Sequence, residues 1–233
     1  MDYLIRIDTL AYVSNINNYH SKTKSMPVYS VLSSKGGAGK TLTIVQLAIW
    51  LDRQNFSVAI IDNDKQRSIA DWLEDHQTEL TIVETDNHKE MEKAVYQLLD
   101  SHDVVLVDNA GGDVLSMSIV MQISDRILIP VQPSAVDINS TMDTIEELKL
   151  ARRRANKSIP ATVFLNRVTK GSRIIQEVID VFGSVEGVNF SSIQIPQTVR
   201  LAALSGDTES VFDQKSNADL ASLFDRLFAS TIS

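Results

Sequence analysis

Apolar positions along the chain come in two kinds of run. Short, almost wholly apolar stretches occupy 28–32, 57–62, 103–108, 126–131 and 160–165. Buried parallel strands read this way, without alternation, because both of their faces are covered. Between them lie longer amphipathic or apolar stretches that predict helices at about 40–54, 67–78, 88–101, 113–123, 139–156, 172–182 and 216–229. Strand–helix alternation predicts an α/β fold: a doubly wound, mostly parallel sheet with helices on both faces. No internal repeat or low-complexity tract interrupts it, and 233 residues suit one large domain. Residues 26–233 are therefore read as that domain. Residues 1–25 form a polar extension with Asn15, Asn17, Asn18, Lys22 and Lys24, read as a flexible tail or a start that precedes the native one.

In such a sheet ligands sit beyond the carboxyl ends of the strands. The first strand runs into Ser33-Ser34-Lys35-Gly36-Gly37-Ala38-Gly39-Lys40-Thr41. The pattern G-x-x-x-x-G-K-[ST] fits loosely, because Ser34 stands where its first glycine belongs. Three glycines in four residues still allow a tight turn that exposes backbone N–H groups, and a helix begins at once, its positive end facing the same point. Lys40 can reach β/γ-phosphates and the Thr41 hydroxyl can ligate Mg²⁺. The second strand ends in Asp62-Asn63-Asp64-Lys65-Gln66-Arg67. The third ends in Asp108-Asn109-Ala110-Gly111-Gly112. Four apolar residues followed by Asp108 suit a carboxylate that holds a magnesium shell through water.

Lys35-Gly36-Gly37-Ala38-Gly39-Lys40-Thr41 resembles the deviant Walker A box of the ParA/MinD family of P-loop ATPases. From Met26 onward the chain looks most similar to the small ParF-type partition ATPases, which lack a long N-terminal DNA-binding domain. The resemblance implies ATP and Mg²⁺ as cofactors and slow ATP hydrolysis. Nucleotide contacts would come from Gly36, Gly37, Ala38, Gly39, Lys40, Thr41 and Leu42. Thr41, Asp62 and Asp108 would serve the metal, and Asp64 would position or deprotonate the attacking water. Lys35 would cross a homodimer interface to the partner's nucleotide, so Lys35, Lys40 and Asp64 are the implied catalytic groups. Lys65 replaces the proline of the family's D-x-D-P-Q box, which loosens that loop. Ile129-Pro130-Val131-Gln132-Pro133-Ser134-Ala135-Val136-Asp137 resembles the family's proline box near the dimer interface, with Asp137 or Ser140 also able to cap the next helix. Asn166 stands where the family reads adenine, and Pro196 falls in the later segment near the base.

Composition narrows the field. With no cysteine there is no disulfide framework, thiolate zinc site or cysteine-held iron–sulfur cluster. No apolar run approaches the ~18 residues of a membrane span, and the N-terminus lacks a signal peptide's pattern, so the expected location is cytoplasmic. The net charge of −8 argues against nucleic acid, yet residues 148–203 hold nine basic side chains against three acidic ones. Within that region Arg152, Arg153, Arg154, Lys157, Lys170, Arg173 and Arg200 are candidates for salt-sensitive, sequence-neutral DNA contacts. A solvated helix end, favoured by the helix dipole, is the plain alternative for the first four. The resemblance then implies an ATP-dependent homodimer that binds non-specific DNA, associates with the nucleoid when ATP-bound, and is released by a ParB-like stimulating protein. A MinD-like membrane positioner, a P-loop ligase and a scaffold that hydrolyses poorly are the alternatives. The last helix carries Leu220, Leu223, Phe224, Leu227 and Phe228 but is not basic, so it is expected to pack on the core.

Overall fold

A computed structural model describes residues 27–64, 68–73, 80–204 and 210–232. The N-terminal extension, Lys65-Gln66-Arg67 and the end of the helix expected at 67–78 lie outside them. The described residues form seven parallel strands: β1 (Val28–Val31), β2 (Val58–Asn63), β3 (Thr81–Glu84), β4 (Val104–Asn109), β5 (Arg126–Val131), β6 (Ala161–Val168) and β7 (Asn189–Pro196). Their order is β3-β2-β4-β1-β5-β6-β7. Chain order reverses around β1, which lies between β4 and β5, and this is the switch point where such sheets hold ligands.

Among the described residues, eight α-helices cover the two faces. Helices α3 (His88–Leu99), α4 (Val114–Ile123), α5 (Ala135–Ala155) and α6 (Ile174–Gly183) bury Met91, Val95, Met121, Ile145, Leu148 and Phe182 on one face. Helices α1 (Lys40–Asp52), α2 (Ser68–Leu73), α7 (Val199–Leu204) and α8 (Ala218–Ile232) bury Ile44, Leu47, Trp72, Leu201, Phe224 and Phe228 on the other. The apolar stripe of α8 is therefore core, as expected of a helix whose stripe is flanked by Asp219, Asp225 and a single arginine, Arg226.

Four elements depart from the sequence reading, one of them the short helix α7, which lies where no helix is expected. Strands β3 and β7 are the two sheet edges. All four residues of β3 are half-buried, and β7 (NFSSIQIP) mixes exposed serine with buried isoleucine. Edge strands need not be continuously apolar, so the pattern that revealed the central strands passed over both. Helix α5 begins at Ala135, four residues before the expected start, because Ser134 is its cap: the Ser134 hydroxyl accepts the Asp137 N–H at 3.1 Å. Asp137 and Ser140 lie inside the helix instead of capping it. Pro130 is tolerated in β5 because the pairing with β1 ends at Val31↔Leu128, which leaves β5 a neighbour on one side there.

Candidate nucleotide-binding site

The carboxyl edge beside β1 holds a cavity of about 590 Å³. It runs from Gly36 and Gly37, along Gly39 to Leu42, past Asp64 and Trp72, to Asn166, Arg167 and Pro196. Gly37 (φ 75°) and Gly39 (φ 95°) adopt left-handed backbone that other residues rarely take. A side chain at Gly36 or Gly37 would meet nothing within 4 Å, so that backbone faces open space. The first residues of α1, Lys40, Thr41 and Leu42, line the same space.

The charged groups converge there. Lys40 is buried, its Nζ 3.5 Å from the Lys35 carbonyl. Burial lowers the Lys40 pKa, and the Asp108 and Asp64 carboxylates counter that shift. The Thr41 hydroxyl donates to Asp108 Oδ2 at 2.8 Å. Asp108 Oδ1 is buried with no hydrogen-bond partner among the described residues. Burial pushes the Asp108 carboxyl up to about 7, with the Thr41 hydrogen bond opposing. Asp62 is buried too, and burial raises its pKa against the N–H groups of Asp64 (3.0 Å) and Ile69 (3.3 Å), which it accepts.

An orphaned buried carboxylate oxygen beside a threonine hydroxyl and an inward lysine suits a hard divalent cation with phosphates. Among the described residues no cluster of three or more His, Cys, Asp or Glu could hold a metal alone. Mg²⁺ keeps waters and takes phosphate oxygens with one or two carboxylates, and Asp108 beside the Thr41 hydroxyl offers such a set. The open glycine cradle fits the phosphates.

The remaining expected site residues fall as follows. Leu42 and Pro196 line the cavity. Ala38 is buried, and its carbonyl accepts Asn166 Nδ2 at 2.8 Å. Asn166 Oδ1 accepts the Arg167 N–H at 3.0 Å, and that bond accompanies a left-handed Arg167 (φ 54°). Both polar ends of Asn166 thus engage backbone, and Asn166 braces the glycine loop against β6. Gln132 adds a second brace, Nε2 to the Gly37 carbonyl at 3.3 Å. Lys35 turns away from the cavity to Asp137, 2.5 Å from its Oδ2.

The basic residues that are neighbours in sequence are divided by the fold. Helix α5 runs back toward the amino edge of the sheet, about 30 Å for 21 residues. There Arg152 donates to the Ile159 carbonyl, and Lys157 to the Ser124 carbonyl and Asp125 Oδ1 (3.1 and 2.6 Å). Arg154 donates to Ser118 Oγ at 2.9 Å, and Arg153 is exposed. Lys170 and Arg173 follow β6 on the carboxyl edge and are exposed. Arg200, past β7, makes a two-pronged pair with Asp219 (2.8 and 2.6 Å), which holds the Asp219 carboxyl at about 2.

Sequence reasoning missed Asn63, Asn109 and Ser116, whose side chains hydrogen-bond to one another under the two acidic strand ends. Uncharged amides and a serine have no periodicity that would single them out.

Residues 29–211 match the family model described as the CobQ/CobB/MinD/ParA nucleotide binding domain. The chain belongs to this family of P-loop ATPases, which work on ATP with Mg²⁺. It is an ATP-dependent ATPase of the ParA/MinD partition and positioning type. It is 28% identical to the protein ParA of Rhizobium radiobacter over 152 residues, covering 64% of this chain and 68% of that protein. Over 164 residues it is 29% identical to the maintenance of carboxysome distribution protein A of Halothiobacillus neapolitanus, 66% of this chain and 74% of the other. The fold is similar to that of the MinD cell division protein of Aquifex aeolicus, with a TM-score of 0.66 and 21% identity over 87% of this chain and 97% of that one. Among the described residues no helix is long and apolar enough to cross a membrane.

Proposed function

We propose that two copies of this chain close face to face over two ATP molecules, each lending Lys35 to the other's phosphates, in the manner of a small ParF-type partition ATPase. The position of Lys35 carries this reading. The side chain lies beside its own cavity without lining it, held at the rim by Asp137. Exposed Val114 and Leu115, at the start of α4, and Val136, at the start of α5, follow the two strands that flank β1. A second copy covering that edge would bury them.

Within the dimer, Lys40 and the glycine-loop N–H groups bind the phosphates, and Thr41 and Asp108, supported by Asp62, hold the metal. Magnesium supplies charge neutralisation to the phosphoryl group when bound. Asp64 orients the attacking water and accepts its proton. Lys35 from the partner offsets the charge on the leaving oxygens. The ATP-bound dimer binds DNA without sequence preference and so associates with the nucleoid. Exposed Lys170 and Arg173, together on the carboxyl edge, supply phosphate contacts, because Arg152, Arg154, Lys157 and Arg200 already bond within the chain and Arg153 stands at the opposite edge. A ParB-like protein stimulates hydrolysis and releases the dimer.

The test is sedimentation with Mg²⁺ and either ADP or a non-hydrolysable ATP analogue, with and without arbitrary duplex DNA. The expected result is a dimer with the analogue only, and DNA co-sedimentation that fades between 50 and 200 mM salt, as the release of condensed counterions requires. A monomer in every condition overturns the reading. A dimer indifferent to DNA favours positioning of another cargo, the reading to which the engagement of those four cations points.

A further inference from the structure

Strands β2 and β4 pair so that Asp62 stands opposite Asp108 and Asn63 opposite Asn109. Side chains alternate across a strand, so the two aspartates face α1 and α2 while the two asparagines face α4. On that second face the preceding positions, Ala59, Ile61, Val105 and Val107, are all apolar core. The pattern breaks at the last residue of each strand, where Asn63 and Asn109 are both buried.

These amides close a triangle with Ser116 in the first turn of α4. Asn63 Nδ2 donates to Asn109 Oδ1 and to Ser116 Oγ, both at 2.8 Å. Ser116 Oγ donates onward to Asn109 Oδ1 at 2.6 Å. The Ser116 N–H is fixed by Asp113 Oδ1 at 3.0 Å, so the hydroxyl sits on a rigid helix start. Asn63 Oδ1 is buried and has no partner among the described residues. Such an orphan is costly to bury, and an all-apolar replacement of the network would cost little or nothing. By its hydrogen bonds the triangle fixes the two strand ends and the start of α4 relative to one another.

The geometry it sets is that of Asp64. Asp64 directly follows Asn63, and its own N–H is held by Asp62 Oδ1 at 3.0 Å. The turn bearing Asp64 is thereby pinned from both faces of the sheet, by Asp62 on one and by the amide triangle on the other. We infer that Asn63, Asn109 and Ser116 are positioning residues that hold Asp64 in register with Asp108 during ATP hydrolysis. This rests on the reading of Asp64 as the group that handles the attacking water.

The experiment compares Ser116→Ala, Ser116→Thr and Asn63→Ala, each with and without Asp64→Ala, in the full chain. For each variant, Kd for Mg²⁺–ATP, kcat and Tm are measured. Ser116→Ala and Asn63→Ala should lower kcat about tenfold while Kd stays within about twofold, and Ser116→Thr, which keeps the hydroxyl, should recover most of kcat. In the Asp64→Ala background the same substitutions should change the residual rate by less than about twofold, because the group they position is gone. Unchanged kcat in Ser116→Ala and Asn63→Ala, with Asp64→Ala inactive, overturns the triangle's role alone. So does a fall in kcat that tracks Tm and persists without Asp64. Should Asn63→Ala fail to fold, the Ser116 pair decides by itself. Full turnover in Asp64→Ala alone removes the assignment of Asp64 and, with it, the route by which the triangle acts.

Discussion

The Lys35 ammonium lies 2.5 Å from Asp137 Oδ2, an ion pair that joins the glycine loop to the first turn of α5 within one chain. Asp137 is almost wholly buried, and Ser134 Oγ also donates to its Oδ2. To reach another subunit Lys35 must leave this carboxylate. Asp137→Asn keeps the helix-start geometry and removes the charge, so it should let the protein dimerise at several-fold lower concentration with a non-hydrolysable ATP analogue. Sedimentation equilibrium measures this. Lys35→Ala should abolish both dimer and turnover.

Gly111 touches the phosphate loop closely. A Cβ there would stand 3.0 Å from Lys40 Nζ and 3.1 Å from both Gly36 N and Lys35 C. Gly111→Ala should therefore push the loop or Lys40 out of place and weaken ATP binding at least tenfold, with a small change in Tm. Calorimetric titration of Mg²⁺–ATP checks the affinity.

Asn166 packs on Gly39 so tightly that a Cβ at Gly39 would lie 2.2 Å from its Nδ2. Gly39→Ala adds strain at φ 95° to that clash and should prevent ATP binding. Asn166→Ala orphans the buried Ala38 carbonyl and should cost about 1–3 kcal/mol, read from urea unfolding.

Asp108 supplies a pH test. Its carboxyl, ordinarily near 3.8, is raised to about 7 by burial. Without Mg²⁺ and nucleotide the folded state therefore binds a proton that the unfolded state has released. The stability associated with that proton is present at low pH and is lost as pH rises toward 7. Asp108→Asn removes the dependence. Its stabilisation over the unsubstituted protein should grow from pH 4 to pH 7 and level off above, reaching at most about 4 kcal/mol. Melting curves in chelator across that range measure it.

The five strands with continuous apolar runs were legible because burial on two faces leaves a one-dimensional signature, and the glycine loop because its conformation demands glycine. The edge strands β3 and β7 bury fewer side chains and lack that signature. The basic cluster shows the opposite limit. Arg154 and Lys170 are close in sequence, but α5 and β6 carry them to opposite edges of the sheet, and only topology reveals this. Asn166 was found by position, while its engagement with Ala38 and Arg167 depends on where β6 meets the loop.

Because every strand points the same way, the loops leaving their carboxyl ends share a single rim, while the contacts of Arg152 with Ile159 and of Lys157 with Asp125 tie up the opposite one. Chemistry and scaffolding are thus housed in separate hemispheres. A tag or fluorophore inserted on the scaffolding side, clear of those contacts, should leave turnover on the other undisturbed.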